Sequence, residues 1–184
     1  MKKFCFLIFI SLCILFIADR ITGNLLECQY FKAKSGVISR INYSMNGTSE
    51  DLLVFGTSRA NHHYYSKILE DSLSLSVYNT GKEGHKIFYQ TAILKAVLKR
   101  YKPRQIILDF AGTFEFKQRD YDRISTLLPY YDSNPEIRAI ILLKSKTENL
   151  KILLSKLYRY NSKIMTILFS SIELNTQKKN QKKT

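Results

Sequence analysis

Two patterns of hydrophobic positions divide the chain. The first is a continuous apolar run from Phe4 to Ala18, which two lysines precede and one serine interrupts. The second begins at residue 51 and consists of short apolar runs separated by turn residues. A long continuous run predicts a helix that is apolar all round, whereas short runs between turns predict buried strands. We therefore predict a transmembrane helix over 1–20, a connecting segment of poor periodicity over 21–50, and a folded domain after it.

The N-terminal run is shorter than the roughly 20 apolar residues of an upright membrane span. Lysine side chains before it can reach the membrane surface, and the mildly apolar residues 21–26 extend it. The run has no convincing Ala-x-Ala cleavage site, so we predict an uncleaved, single-pass signal anchor. Positive charge ahead of the run favours a cytoplasmic N-terminus and an exported, periplasmic or extracytoplasmic body. A buried helix of a soluble protein is the alternative.

Three short apolar runs, at 52–55, 75–79 and 105–110, predict the strands of the folded domain. The first, LLVF, is continuous, as in a strand that is buried on both faces, and QIILDF is apolar in the same way. Helical patterns separate the runs, and this strand–helix alternation implies right-handed crossovers and a parallel sheet. We predict an α/β fold over 51–116, in which helices flank a small parallel sheet with strand order 2-1-3.

The two helices between these strands carry apolar positions at helical spacing. In the first helix we expect Tyr65, Ile68 and Leu69 to face inward, with Asn61 as the N-cap. Pro103 ends the second helix. Its inward-facing residues are predicted at positions 87, 94, 97, 98 and 101.

The turns that follow the three strands should meet in space. In a parallel sheet the carboxyl ends of the strands share one edge, and ligand sites form there. Ser58, Gly84 and Thr113 follow successive strands, so we expect them to line one pocket. A serine hydroxyl becomes a nucleophile when a base removes its proton and N–H groups stabilise the developing oxyanion. Ser58 is therefore a candidate nucleophile, and a glycine in the second turn can offer an unobstructed N–H.

The stretches VFGTSR, YNTGKEG and IILDFAGTF resemble the first three sequence blocks of the SGNH/GDSL hydrolase superfamily. They look closest to the membrane-anchored SGNH-like proteins of Bacteroides-type bacteria. The resemblance implies an incomplete flavodoxin-like core and a catalytic nucleophile at Ser58. It implies an oxyanion donor at Gly84, with Gly81 as the alternative. The third block of the family carries an asparagine donor, and here Thr113 or Phe114 occupies that position.

The resemblance also implies ester hydrolysis or acyl transfer on glycans or lipids of a bacterial cell envelope. Hydrolases of this type use an Asp-x-x-His block near the C-terminus, and no histidine follows Glu115 in this chain. We expect His62 and His63 to be surface or helix-start residues. His85, just after the second turn, is the better substitute base. Because losing the base removes most of the catalysis, we predict little or no ester hydrolysis.

The rest of the chain predicts no further strand. Residues 117–174 predict a helical segment, and 175–184 a basic disordered tail. We expect the chain to be C-terminally truncated relative to its family, ending before the last strands and the base. The apolar stretch 164–174 is predicted to be a helix without its sheet, with a second membrane contact as the alternative. A non-catalytic, membrane-anchored scaffold or binding protein is the alternative function.

Charge and cysteine content change this picture little. The chain has 29 Lys and Arg against 15 Asp and Glu, for a net charge of +14. This charge would suit nucleic acid, but we find no zinc-ligand spacing, RNP-like strand or basic helix interleaved with aromatic residues. The three cysteines form no CxxC pair. We predict the membrane and an envelope glycan or lipid ester as partners, and no nucleic acid, cofactor or metal. The oligomeric state is left open.

Overall fold

The computed structural model describes residues 2–110 and 116–170. The chain divides into two compact units, one of Met1–Ile38 with Thr147–Thr184 and the other of Ser39–Lys146. Along the chain the α-helices and strands are α1 (Lys2–Lys32), α2 (Gly36–Asn46), β1 (Leu52–Gly56), α3 (Ser58–His63), α4 (Ser66–Leu73), β2 (Val77–Asn79), α5 (Ile87–Arg100), β3 (Gln105–Asp109), α6 (Gln118–Asp122), α7 (Arg138–Leu142) and α8 (Glu148–Leu154). The described residues also form 3₁₀ helices at Arg123–Tyr130, Pro135–Ile137 and Leu157–Lys163.

The first unit is built on α1. Within the described residues, α1 is the one helix long and apolar enough to cross a membrane, with a mean hydropathy of 2.4 over an 18-residue window that is fully exposed. This confirms the predicted long apolar N-terminal helix, a property that membrane anchors and signal sequences share. Beyond the apolar run, the helix continues to Lys32 and buries Gly23, Leu26 and Tyr30 at helical spacing. Much of the predicted connecting segment is therefore helical.

The second unit contains a parallel sheet with strand order β2-β1-β3. In its register, Leu52 pairs with Val77 on one side and with Gln105 on the other. The predicted α/β class, the parallel sheet and its 2-1-3 order are therefore confirmed. The described residues from 116 to 170 contain helices and no strand, as predicted. The exact domain boundaries drawn from the sequence stay predictions.

The two longer strands differ in burial. Every residue of β1 is buried, and Leu52 and Val54 form a core cluster with Ala60 and Val77. In β3, by contrast, Ile106 and Leu108 remain exposed by 44% and 49%. The apolar sequence of β3 suggested a strand buried on both faces, and this is wrong. β3 is one of the two edge strands, and its Ile106 and Leu108 face is covered by no described element.

The helix that follows β1 also differs from its prediction. It is interrupted between His63 and Ser66, giving two short helices, α3 and α4. Asn61 lies inside α3 and is not an N-cap, since Thr57 occupies that position. Tyr65 and Ile68 are exposed, although both were expected to face inward. The break after α3 changes the direction of the chain, so a single helical stripe cannot predict which residues face the core.

The second crossover helix, α5, is present but buries a different face. Its buried residues are Tyr89, Gln90, Ala92, Ile93, Ala96 and Val97. Of the predicted inward positions, Val97 is buried and Leu98 is exposed. Two of these buried residues are alanines, and α5 packs against β1. The helix ends at Arg100, ahead of Pro103, because a residue before proline disfavours the helical conformation.

Candidate functional site

The serine turn lies directly at the carboxyl end of β1. Ser58 is exposed and is the first residue of α3, with Thr57 as the N-cap. Gly56 is the last residue of β1, and its surroundings leave no room for a side chain. A Cβ there would lie 2.4 Å from the Cβ of Ala60 and 3.0 Å from that of Asp109. Glycine is therefore required where β1, α3 and the end of β3 meet, and the turn presents Ser58 outward.

An arginine fork ties this turn to the end of β3. Arg59 Nε lies 2.9 Å and 2.8 Å from the two carboxylate oxygens of Asp109, and Nη2 also donates to Oδ1. Asp109 is buried, whereas the Arg59 side chain is 58% exposed. Hydrogen bonding from Arg59 lowers the pKa of the Asp109 carboxyl, against the opposing effect of burial. The residue after Ser58 is therefore held in place by the neighbouring strand.

This fork was missed by sequence reasoning. A signal for it exists, because Asp109 is the one charged residue of the apolar run QIILDF and stands where that strand ends. A carboxylate in that position needs a partner once it is buried. Nothing local identifies Arg59 as that partner, since fifty residues separate the two.

The second turn contacts the first directly. The N–H of Lys82 donates to the carbonyl of Gly56 over 3.1 Å. A Cβ on Gly81 would lie 2.9 Å from the backbone nitrogen of Asn61, so this glycine lets the second turn approach α3. The structure thus brings the two turns together, as the parallel-sheet argument predicts.

The two glycines of the second turn have different roles. The N–H of Gly81 already donates to the side-chain oxygen of Asn79 over 2.8 Å, so it is not available to an oxyanion. Gly84 has a φ of +69°, a conformation that favours glycine. A Cβ on Gly84 would also overlap the guanidinium of Arg123. Gly84 is therefore the better donor candidate of the two, and its role as an oxyanion donor stays a prediction. Thr113 and Phe114 lie outside the described residues.

His85 is buried, and both of its ring nitrogens are engaged. Nδ1 lies 2.9 Å from the carbonyl oxygen of Glu83, and Nε2 lies 2.9 Å from the hydroxyl of Thr126. In the neutral ring, Nδ1 must carry the proton to donate to the carbonyl, so Nε2 accepts from Thr126. The lone pair that a base would use is therefore occupied. Serving as the base for Ser58 would require His85 to give up the bond to Thr126.

The other two histidines are exposed, as expected. His62 follows Ser58 by four residues and so lies on the same face of α3. Its Nε2 is 3.9 Å from Glu83 Oε2, which makes a solvent-exposed contact between α3 and the second turn. His63 contributes to the lowered pKa of Asp109. Among the described residues, none hydrogen-bonds to the Ser58 hydroxyl, and none of the His, Cys, Asp and Glu side chains form a group able to hold a metal ion.

A scan against protein families, a search of curated proteins and a search of solved structures find no match for this chain. The comparisons therefore neither support nor oppose the resemblance to SGNH hydrolases, which stands on the sequence motifs alone. The fold class itself, a small parallel α/β sheet with a long apolar N-terminal helix, stands on the structure.

Proposed function

We propose that this chain is a membrane-anchored, SGNH-like protein whose inherited chemistry is ester hydrolysis or acyl transfer on envelope glycans or lipid esters. The fully exposed apolar half of α1 supports the membrane anchor. Positive charge before that segment supports an exported body. The observation that carries the proposal is the exposed Ser58 at the carboxyl end of the central strand, in a turn that the Arg59–Asp109 fork holds in place.

We further propose that this chain hydrolyses esters barely or not at all. Ser58 has no base in hydrogen-bond contact among the described residues, and Nε2 of His85 is hydrogen-bonded to the Thr126 hydroxyl. The asparagine donor of the third block is missing, and one lost oxyanion donor costs about 2.7–4 kcal/mol of transition-state stabilisation. These losses are not additive, because removing the base alone already removes most of the rate enhancement.

Hydrolysis of p-nitrophenyl acetate by the full-length chain in detergent, between pH 5 and 9, tests this proposal. We expect the wild type, Ser58→Ala and Ser66→Ala to remain at the uncatalysed background. Ser66 is a matched control because it opens α4 as Ser58 opens α3. Labelling with a fluorophosphonate probe is the parallel readout, and Ser58 should react no faster than Ser66.

Turnover well above background that disappears in Ser58→Ala would contradict the inactive state. In that case, a rate that rises through about pH 6.5, the ordinary histidine pKa, would indicate a histidine base. Loss of this activity in His85→Ala would identify the buried histidine, and loss in His62→Ala the exposed histidine on the same helix face as Ser58.

The second candidate function is non-catalytic binding at the same turn. It is favoured by the engagement of His85 and Asp109 in bonds within the protein, which stabilises the turn but leaves no free base there. A Ser58 hydroxyl that does not react with the probe, in a chain that still retains an envelope glycan on affinity resin, would favour this function.

A further inference from the structure

The apolar half of α1 is too short to cross a bilayer by itself. At 1.5 Å per residue, the run from Phe4 to Ala18 is about 22 Å long, against a hydrocarbon core of about 30 Å. A bilayer around this run therefore thins locally or reaches the residues that follow it. The next two residues, Asp19 and Arg20, are charged, so the proposed anchor would meet the membrane surface near them.

Asp19 binds the segment that follows α8, and Arg20 binds the last turn of α8 itself. The Asp19 carboxylate accepts hydrogen bonds from the Ser155 hydroxyl over 2.5 Å and from the Lys156 N–H over 2.7 Å. Arg20 donates to the carbonyl oxygen of Leu153 over 2.8 Å. These bonds hold the C-terminal end of α8 against α1 directly after its apolar run.

Further contacts hold the residues after α8 against the second half of α1. The side chain of Lys156 packs on Gly23, where a Cβ would lie only 2.7 Å from Lys156 Cγ. The ammonium group of Lys156 lies 2.5 Å from a carboxylate oxygen of Glu27. One turn higher, Tyr30 meets Tyr160 edge to face, with ring centroids 5.9 Å apart. The second half of α1 and the residues after α8 therefore form one packed structure.

At this level α8 has an exposed apolar face. Leu150, Leu153 and Leu154 are all exposed and share that face at spacings of three and four residues, while Ile152 is buried. An open cavity of about 410 Å³ adjoins the face and is lined by Lys151, Leu154, Ser155, Leu157, Tyr158 and Asn161. Lys151 follows Leu150 along α8, and its ammonium group lies 3.8 Å from a carboxylate oxygen of Glu148.

We propose that this leucine face of α8 lies in the membrane interface, as a second and lateral contact with the bilayer beside α1. The bilayer is the occupant because Arg20 holds Leu153 directly after the apolar run of α1, and the exposed Ile21 and Leu25 extend the apolar surface of α1 through the same level. The inference rests on the proposed membrane anchor and adds a contact that the apolar run alone does not provide.

Depth-dependent fluorescence quenching tests this contact in the full-length chain. Cys5, Cys13 and Cys28 are replaced by alanine, and single cysteines are then introduced and labelled with an environment-sensitive fluorophore. The tested position is Leu153→Cys. The chain is reconstituted into vesicles of phosphatidylcholine and phosphatidylglycerol that contain nitroxide-labelled lipid.

Two positions on α1 are the controls. Leu12→Cys lies within the apolar run, and Leu12 has the same exposed fraction as Leu153, 60%. Lys32→Cys lies at the far end of the same helix, about 18 Å beyond Arg20 at 1.5 Å per residue. We expect strong quenching at Leu12→Cys, quenching at Leu153→Cys of at least half that strength, and several-fold weaker quenching at Lys32→Cys.

The outcomes separate this inference from the proposed anchor. Strong quenching at Leu12→Cys with none at Leu153→Cys overturns the lateral contact and leaves the anchor intact. Absence of quenching at Leu12→Cys overturns the anchor, and the lateral contact with it. Blue-shifted emission at Leu153→Cys without quenching by lipid also overturns the contact, because protein then covers the leucines.

Discussion

Strands β1 and β3 are neighbours with similar apolar sequences and opposite environments. All five residues of β1 are buried, whereas β3 exposes Ile106 and Leu108 by nearly half. In the register of the sheet, Leu53 stands beside Ile106 and Phe55 beside Leu108. The difference arises from packing, because α3 and α5 pack against β1, whereas no described element covers the Ile106 and Leu108 face of β3. An apolar run thus predicts a strand, but its burial depends on what packs on it.

The largest expected effect comes from placing a charge at the same level in both strands. Leu53→Asp introduces an unpaired charge into the core and should lower the free energy of unfolding by about 3–5 kcal/mol. Ile106→Asp, its register partner, should cost about 1 kcal/mol or less, because its side chain remains in contact with solvent. Urea denaturation of the full-length chain in detergent measures both. Equal losses in the two variants would mean that β3 is covered in solution.

A smaller effect is expected where β1 ends. Gly56→Ala places a methyl group against Ala60 and Asp109, and should cost about 1–3 kcal/mol by overpacking. Gly47→Ala is the comparison variant, since its Cβ would lie 2.6 Å from the ring of Tyr43, a partly exposed side chain rather than the buried end of β1. The same denaturation experiment compares them, and a Gly56→Ala variant as stable as Gly47→Ala would contradict the close contact at this turn.

The fork between Arg59 and Asp109 should make stability depend on pH. The folded state lowers the pKa of the Asp109 carboxyl below its ordinary value of 3.8, so the ionised form stabilises the fold. This contribution is complete above that ordinary value and is lost as the pH falls through the lower pKa of the folded state.

The variant Asp109→Asn tests this dependence. The wild type should be more stable than the variant near neutral pH, and the difference should shrink as the pH falls below about 4. Glu136→Gln is a control for a carboxylate outside the fork. The pKa of Glu136 is also lowered, but Glu136 pairs with Lys99 and not with Arg59. A stability difference between wild type and Asp109→Asn that stays constant from pH 7 to pH 2 would exclude the fork as its source.

The smallest effect on stability is expected on the exposed face of β3. The double change Ile106→Thr and Leu108→Thr should alter the free energy of unfolding by only about 0.5 kcal/mol, because threonine suits a strand and little burial is lost. An apolar edge strand favours association between chains, so light scattering at high protein concentration should fall in the variant. Unchanged scattering would indicate that this edge does not associate.

The candidate site was predictable in part. The position of Ser58 after the first strand follows from a local motif, and the approach of the first two turns follows from the parallel topology. The engagement of His85 could not be predicted, because Thr126 lies 41 residues away and no pattern links the two. The different roles of Gly81 and Gly84 could not be predicted either. Both are glycines of the same turn, and only the structure shows that the N–H of Gly81 donates to Asn79.

By itself, the sequence determined the features that depend on neighbouring residues. These are the long apolar N-terminal helix, the three strands and their parallel order, because hydrophobic runs, turn residues and crossover handedness are local or topological properties. The tertiary structure alone decided that Ile106 and Leu108 of β3 are exposed, that Arg59 binds Asp109, and that Asp19 and Arg20 hold the end of α8. Each of these features depends on which distant segments meet, because a side chain becomes buried or paired only when folding brings its partners into contact with it.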